Sequence, residues 1–409
     1  MAALSLLLIP AFGLVLCCAA AFYALASLIA VLWASRRRDA LPFTEAEIPV
    51  TILKPLHGGE PRLYENLRSF CVQDYPCFQL LFGVRDAADP AVAVVERLRA
   101  EFPARDIGLI ADSRLYGQNF KVNNLINLLP DARHPWLVIA DSDIGVQPDY
   151  LRRVCTPLAQ PDTGVVTCLY RGRALGGLWS RLGCLFIDEW FAPSVRLSNL
   201  LGSHSFGFGA TLALRRATLD AIGGFRSIAD ELADDYRLAE RVREIGLKTV
   251  LSEVVVSTDV TEDSARALLR HELRWMRTIR SVNPVGYAFM VVSFDLPVAA
   301  LGVVLTAGSA PALGLFAGVA VIRAILHFIA AGGGERSRSQ ALRHALATLP
   351  LVPLRDTLNL ILWGAGFVRR RVVWAGRDLD FDDKGMFCGD MLSSGTRDTG
   401  RAGRENTST

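Results

Sequence analysis

Apolar positions along the chain form three kinds of run, and each kind predicts a different element. The first is unbroken. No charged residue lies between Ala2 and Trp33, and Ser35-Arg36-Arg37-Arg38 closes the stretch. About twenty apolar residues cross a bilayer, so residues 1–35 are expected to form a membrane anchor with tilt or overhang. A signal peptide is the competing reading, but a basic leading region and a clear small-residue cleavage site are both missing. The arginines follow the run, which by the positive-inside rule puts the N-terminus outside and residue 36 onward in the cytoplasm.

The second kind alternates short β-rich runs with helical stretches. Val50–Leu53, Leu80–Val84, Ile107–Ile110 and Trp136–Ala140 read as buried strands. Between them Arg62–Val72, Pro90–Glu101 and Lys121–Leu129 carry helical periodicity. This alternation predicts an α/β domain with a mostly parallel sheet covered on both faces. Ligands of such sheets sit beyond the carboxyl ends of the strands, where Asp86 and Asp141-Ser142-Asp143 fall. Further on, Gly164–Leu169 reads as a strand, Gly202–Gly209 as a flexible loop, and Glu231–Ile245 as a helix that Gly246 can end. A helix over Ser264–Arg280 completes a domain expected over residues 48–283.

The third kind is long and apolar but interrupted. Residues 285–332 hold two runs broken near Gly308-Ser309-Ala310-Pro311, which suits a transmembrane hairpin. Asp295 and Arg323 lie within these runs, and charges at that depth face protein or water rather than lipid. Residues 345–390 contain Pro350, Pro353, Arg355 and Asp356, and Arg369-Arg370-Arg371 follow the apolar part. A full crossing would place those arginines outside, so a re-entrant or interfacial segment is expected. The tail over 391–409 is rich in Ser, Thr, Gly, Arg and Asp and reads as disordered.

Composition agrees with membrane insertion: 51% of residues are hydrophobic. A net charge of +3 gives no case for a nucleic-acid partner. The eight cysteines form no Cys-x-x-Cys pair, so reduced structural thiols are the default, with Cys17-Cys18 as small packing residues.

Candidate chemistry follows the same path toward the membrane. Asp141 and Asp143, past a strand end, are hard oxygen donors of the kind that hold Mg²⁺ or Mn²⁺ beside phosphates; a surface turn would carry the same triplet. Asp234-Asp235 opens a helix. One of them can act as a general base, or both can simply complement the helix dipole. His271, Arg274 and Trp275 share a helical face, which fits either an interfacial helix or a grip on a diphosphate and an acceptor. Lys121 and the asparagines around it stand at a helix start, where both anion binding and N-capping operate.

Taken in order, these pieces resemble the ceramide glucosyltransferase family, glycosyltransferase family 21, an inverting group with the GT-A fold. The matching segments are Ile52–Gly58, Gln73-Asp74-Tyr75-Pro76, Val84-Arg85-Asp86, Lys121–Leu125, Asp141-Ser142, Ala233–Tyr236 and Arg274-Trp275. The resemblance implies a UDP-sugar donor contacted by Lys54, Asp86, Lys121, Asp141 and His271, with Asp86 at the uracil or ribose. It implies a divalent metal on Asp141 and Asp143, Asp235 as base, and Arg274 and Trp275 completing the diphosphate and acceptor site. Ceramide-type members tend to have Gly at Asp143 and Gln or Arg at His271. At those positions, and over Cys168–Arg173, the chain is more similar to a bacterial hopanoid-biosynthesis branch. That likeness implies N-acetylglucosamine transfer to a hopanoid polyol in the inner membrane, with ceramide glucosylation and processive polysaccharide synthesis as alternatives.

Overall fold

The computed structural model describes residues 2–37, 48–333, 337–368, 371–374, 377–382 and 385–388. The tail expected to be disordered lies outside them. Eight strands form the main sheet: β1 (Val50–Pro55), β2 (Phe78–Val84), β3 (Asp106–Ala111), β4 (Trp136–Ile139), β5 (Ile144–Gly145), β6 (Thr163–Ala174), β7 (Leu212–Arg215) and β8 (Lys248–Val260). Their spatial order is β3-β2-β1-β4-β7-β6-β8-β5.

The β3-β2-β1-β4 half is entirely parallel, as the alternating pattern predicts. Its side chains alternate between two cores. Ile52, Leu80, Phe82 and Val138 enter one, with the helices Leu63–Cys71, Ala91–Glu101 and Tyr150–Cys155. Leu53, Leu81, Leu137 and Ile139 enter the other, with Phe120–Leu128 and Asp234–Glu244. Full burial of each such side chain contributes roughly 1.5–3 kcal/mol, which fixes register against a one-residue slip. The other half is mixed: β7 runs antiparallel to β4 and β6, and β5 antiparallel to β8. Neighbours of β1 on its two sides are reached by opposite crossovers, and the resulting crevice at the strand ends is where the candidate residues collect.

Leu8–Arg36 and Ala310–Gly332 are each long and apolar enough to cross a membrane. Phe12, Val15, Phe22, Ile29 and Val321 on them are exposed, a surface suited to lipid rather than water. The first expected limb of the 285–332 hairpin is bent: Pro284–Ser293 and Asp295–Leu305 meet at 70°. At 1.5 Å per residue Asp295–Leu305 reaches only about half the ~30 Å of a hydrocarbon core. It packs on the first helix at Gly13 and Gly302, where an added Cβ would lie 2.8 Å and 2.5 Å from the opposing backbone oxygen. Small residues at a close crossing are the usual means of packing helices in lipid. Cys17 is buried there and Cys18 is exposed.

Arg338–Thr348 and Leu351–Gly366 form a second bent pair, at 58°. Beyond it the chain leaves the helical region and forms a small antiparallel sheet of β9 (Arg371–Trp374), β10 (Arg377–Phe381) and β11 (Phe387–Cys388). This sheet returns to the α/β domain: Phe387 N–H donates to Asp230 O and Leu232 N–H to Gly385 O. Phe381 and Phe387 pack with Leu232.

Candidate active site

A cavity of about 580 Å³ opens along the carboxyl ends of β1, β2 and β4. Its wall includes His57, Glu60, Arg85, Lys121, Asp141, Asp143, Asp234, Asp235, His271, Arg274 and Trp275. Three segments far apart in sequence are thus brought together by the sheet and by two helices, Asp234–Glu244 and Ala265–Val282.

Lys121 links two of those segments. It lies in the first turn of Phe120–Leu128, a helix that Asn119 caps by accepting from Val122 N–H at 3.0 Å. Its ammonium sits 2.6 Å from Asp141 and 3.3 Å from Asp234. Burial alone would lower the Lys121 pKa, but Asp141, Asp234 and Asp235 outweigh it and hold the ammonium above its ordinary value. Asn119 thus caps the helix, whereas Asn123 and Asn124 bond to the main-chain oxygens of Gly117 and Gly83, and the lysine faces the carboxylates.

Asp235 receives Gly209 N–H at 2.8 Å and Tyr236 N–H at 2.7 Å. A Cβ at Gly209 would stand 2.8 Å from both the Asp141 carboxylate and the Lys121 ammonium and would displace them. Burial, then repulsion from Asp234, raises the Asp235 pKa to about 6, while Lys121 and the two N–H groups pull the other way. A carboxylate of that basicity, half-buried at a cavity wall with no cation bonded to it among the described residues, is equipped to accept a proton near neutral pH.

Asp143 accepts from the Thr258 hydroxyl at 2.5 Å. Burial and the neighbouring Asp141 raise its pKa to about 7. Two carboxylates that repel each other across one cavity are a pair that a dication relieves. Among the described residues no group of three or more His, Cys, Asp or Glu side chains is gathered as a metal cage. A metal here would take its remaining ligands from phosphate and water, as Mg²⁺ and Mn²⁺ do, so the donor set fits the expected ion.

Arg274 and Trp275 reach the cavity from the Ala265–Val282 helix, which Ser264 caps. Burial lowers the Arg274 pKa, and Asp235, Asp141 and Asp234 oppose that shift. The Trp275 ring lies 5.4 Å from that of Phe186 and 4.4 Å from His271.

Three expected donor contacts are placed differently. Lys54 is fully buried, off the cavity wall, because as a residue of the central strand it projects beneath the sheet against Phe70. Its ammonium donates to the main-chain oxygen of Asp141 at 2.8 Å, and burial draws its pKa down to about 7. From beneath the sheet it thus holds the main chain of the Asp141–Asp143 loop. Asp86 is exposed just past β2 and off the cavity wall, where it accepts Ala88 N–H, while its neighbour Arg85 lines the cavity. His271 lines the cavity, but its Nδ1 is engaged by Glu262.

Other residues of the wall carried little sequence signal. Glu60 accepts from the Ser142 hydroxyl at 2.8 Å, and burial raises its pKa. Tyr170, Ile187 and Phe208 line the opposite end. Ile187 belongs to a π-helical turn, Phe186–Phe191, inserted between Leu178–Leu185 and Ala192–Leu200. Single π-turns gather at functional sites, because the extra residue re-aims the side chains around it. Here Phe186 meets Trp275, Ile187 enters the cavity, and Phe191 packs on Tyr170 and Phe208.

A curled, parallel-rich sheet with acidic residues at its strand ends and helices on both faces is the architecture of GT-A glycosyltransferases. The match in sequence is more particular: the model of Glycosyl transferase family 21 covers residues 14–387, and the chain belongs to that family. Similar proteins include ceramide glucosyltransferase 1 of Caenorhabditis elegans, 29% identical over 204 residues (50% of this chain and 44% of that protein). Ceramide glucosyltransferase 3 of the same organism is 26% identical over 232 residues, 56% of this chain and 50% of that one. The chain thus spans about half the length of these curated relatives. Among solved structures, the mannosyltransferase PcManGT from Pyrobaculum calidifontis, in complex with GDP-Man and Mn²⁺, aligns with a TM-score of 0.50 and 19% identity, covering 87% of this chain and 98% of that one. That likeness supports the fold.

Proposed function

We propose that this protein is an inverting glycosyltransferase that moves a sugar from a UDP-sugar to a hydroxyl of a membrane lipid. One observation carries the reading. A single cavity joins a diphosphate-ready end, with Lys121, Asp141, Asp143 and Arg274, to a half-buried carboxylate at Asp235 and to a helix packed against the apolar helices. Asp235 takes the proton of the acceptor hydroxyl, which attacks the anomeric carbon from the face opposite the diphosphate. Arg274 and Lys121 orient the departing diphosphate and offset its charge. A divalent ion held by Asp141 and Asp143 supplies Lewis-acid neutralisation of that diphosphate when bound. Trp275 and the aromatic wall exclude water from the acceptor end.

The relatives named above favour ceramide as acceptor and glucose as sugar. A second reading, N-acetylglucosamine delivered to a hopanoid polyol, is favoured by His271 standing where ceramide-type members tend to carry Gln or Arg. In either reading the catalytic domain faces the cytoplasm, the N-terminal helix anchors it in the membrane, and residues 338–366 form a re-entrant or interfacial element. The test is full-length protein in lipid nanodiscs with Mn²⁺, UDP-glucose or UDP-N-acetylglucosamine, and either a ceramide or bacteriohopanetetrol. Mass spectrometry should show a single added hexose on ceramide, with activity lost on chelation. An N-acetylhexosamine on the polyol instead would establish the second reading. Full turnover without divalent metal would refute the metal assignment.

A further inference from the structure

The acceptor end of the cavity is walled by Gly183, Ile187, Phe208, Val260, Leu268 and Trp275, and within this apolar lining stands an ionisable pair that the displacement does not use. His271 Nδ1 is bonded to a carboxylate oxygen of Glu262. The pair sits at the junction of two elements: Glu262 just after β8 and His271 on the helix that carries Arg274 and Trp275. The His271 ring stands at 63° to that of Trp275, which fixes its plane. With Nδ1 taken by Glu262, Nε2 is the nitrogen left for another partner. The second carboxylate oxygen of Glu262 is buried without a hydrogen-bond partner among the described residues. Burial works against the Glu262 charge, but His271 outweighs it and holds the carboxyl below its usual range. A cavity wall that keeps a charged carboxylate, an incompletely bonded oxygen and an imidazole nitrogen without a partner among the described residues is built to receive a polar group.

We propose that Glu262 and His271 form a polar subsite that reads a second hydroxyl or amide of the acceptor, next to the hydroxyl that is glycosylated. The subsite makes the enzyme selective for lipids with a multifunctional polar head over simple long-chain alcohols. This rests on the lipid-acceptor reading above and deepens it. Specificity of this kind is strong, since a site built to bond a polar group is left with unpaired buried atoms when the ligand lacks it.

The test compares three probes as acceptors for the full-length protein in nanodiscs: 1-hexadecanol, 1,2-hexadecanediol and an N-acyl 2-amino alcohol of similar chain length. UDP release and lipid product are followed together. The wild type should favour the diol or the amide over the mono-alcohol by about 10- to 100-fold in kcat/KM. In His271→Leu and Glu262→Gln that ratio should fall to within about threefold of one. The ratio is read inside each variant, so a general loss of rate or stability does not mimic the effect. An unchanged ratio in both variants would overturn the subsite, as would a rise confined to the KM for the UDP-sugar, which would return His271 to the donor. Transfer by the wild type to none of the three, with nucleotide still bound, would instead overturn the lipid-acceptor reading itself.

Discussion

Two acidic clusters in this molecule look alike as chemistry and differ as structure. At the carboxyl ends of the strands, Asp141, Asp234 and Asp235 surround Lys121, with Asp143 beside Asp141 and Arg274 nearby. At the level of the membrane helices, Glu189, Asp295 and Asp356 surround Arg323, with His327 bonded to Glu189 at 2.6 Å. In the second cluster the cation is saturated. Arg323 makes a two-pronged pair with Asp356 at 2.8 and 2.9 Å and approaches Asp295 and Glu189 at 3.4 and 3.6 Å. The void beside Glu189 and His327 is only about 40 Å³. In the first cluster Lys121 reaches two of the four carboxylates, and the others face a cavity of about 580 Å³. Charge count does not separate a working site from a structural one. Unused bonding capacity beside open space does.

The comparison is most easily broken at Asp235. Asp235→Asn should lower transfer by about 10³-fold while nucleotide affinity, measured by calorimetry, stays within a few-fold of wild type. Turnover near wild type would remove Asp235 from the base role and leave the first cluster as structural as the second.

Arg323→Met should act in the opposite way. It leaves three carboxyl groups buried without their cation, a loss of about 3–5 kcal/mol of stability, so the yield of folded protein and the unfolding temperature should drop sharply. Activity per folded molecule should change little. A stable variant with impaired catalysis would place the membrane-level cluster in the reaction.

A smaller effect sharpens the first cluster. Asp235 must be ionised to take a proton, and its pKa is raised to about 6, so kcat/KM should climb with pH through that value. Lys121 lowers the Asp235 pKa, so Lys121→Met should move this acidic limb to higher pH, with a loss of about tenfold at neutral pH. A limb that does not move would show that the two groups are not coupled during turnover.

What the sequence revealed divides along physical lines. Strands buried on both faces read as continuous apolar runs, so β1, β2 and β4 were legible within a few residues, and the half-buried edge strand β3 was legible from its apolar run Ile107–Ile110. The full length of β8 was not. Its Ser252, Glu253, Ser257, Thr258 and Asp259 interrupt the apolar pattern, and Thr258 and Asp259 do so because they line the cavity. The four residues of β7 are too few to show a period.

In the site, residue type and spacing single out Asp141, Asp143, Asp234-Asp235, Arg274 and Trp275 as candidates, the family resemblance picks Asp235 of its pair, and all of them line one cavity. Lys54 shows where that reasoning stops. Its charge is visible in the sequence, while its direction depends on strand parity and on Phe70, residues that only the fold brings together. The π-turn at Phe186–Phe191 has no local signature, because its register follows from Glu189 reaching Arg323 and His327 on a helix more than a hundred residues away.

The central claim is a single displacement driven by one carboxylate at the boundary between water and lipid. Proton NMR of the glycolipid made from an α-linked UDP-sugar tests it most directly, since the coupling of the anomeric proton reports configuration. A β-linked product is the result predicted for attack from the face opposite the diphosphate. An α-linked product would require a second displacement or a front-face route, and would contradict the role given to Asp235.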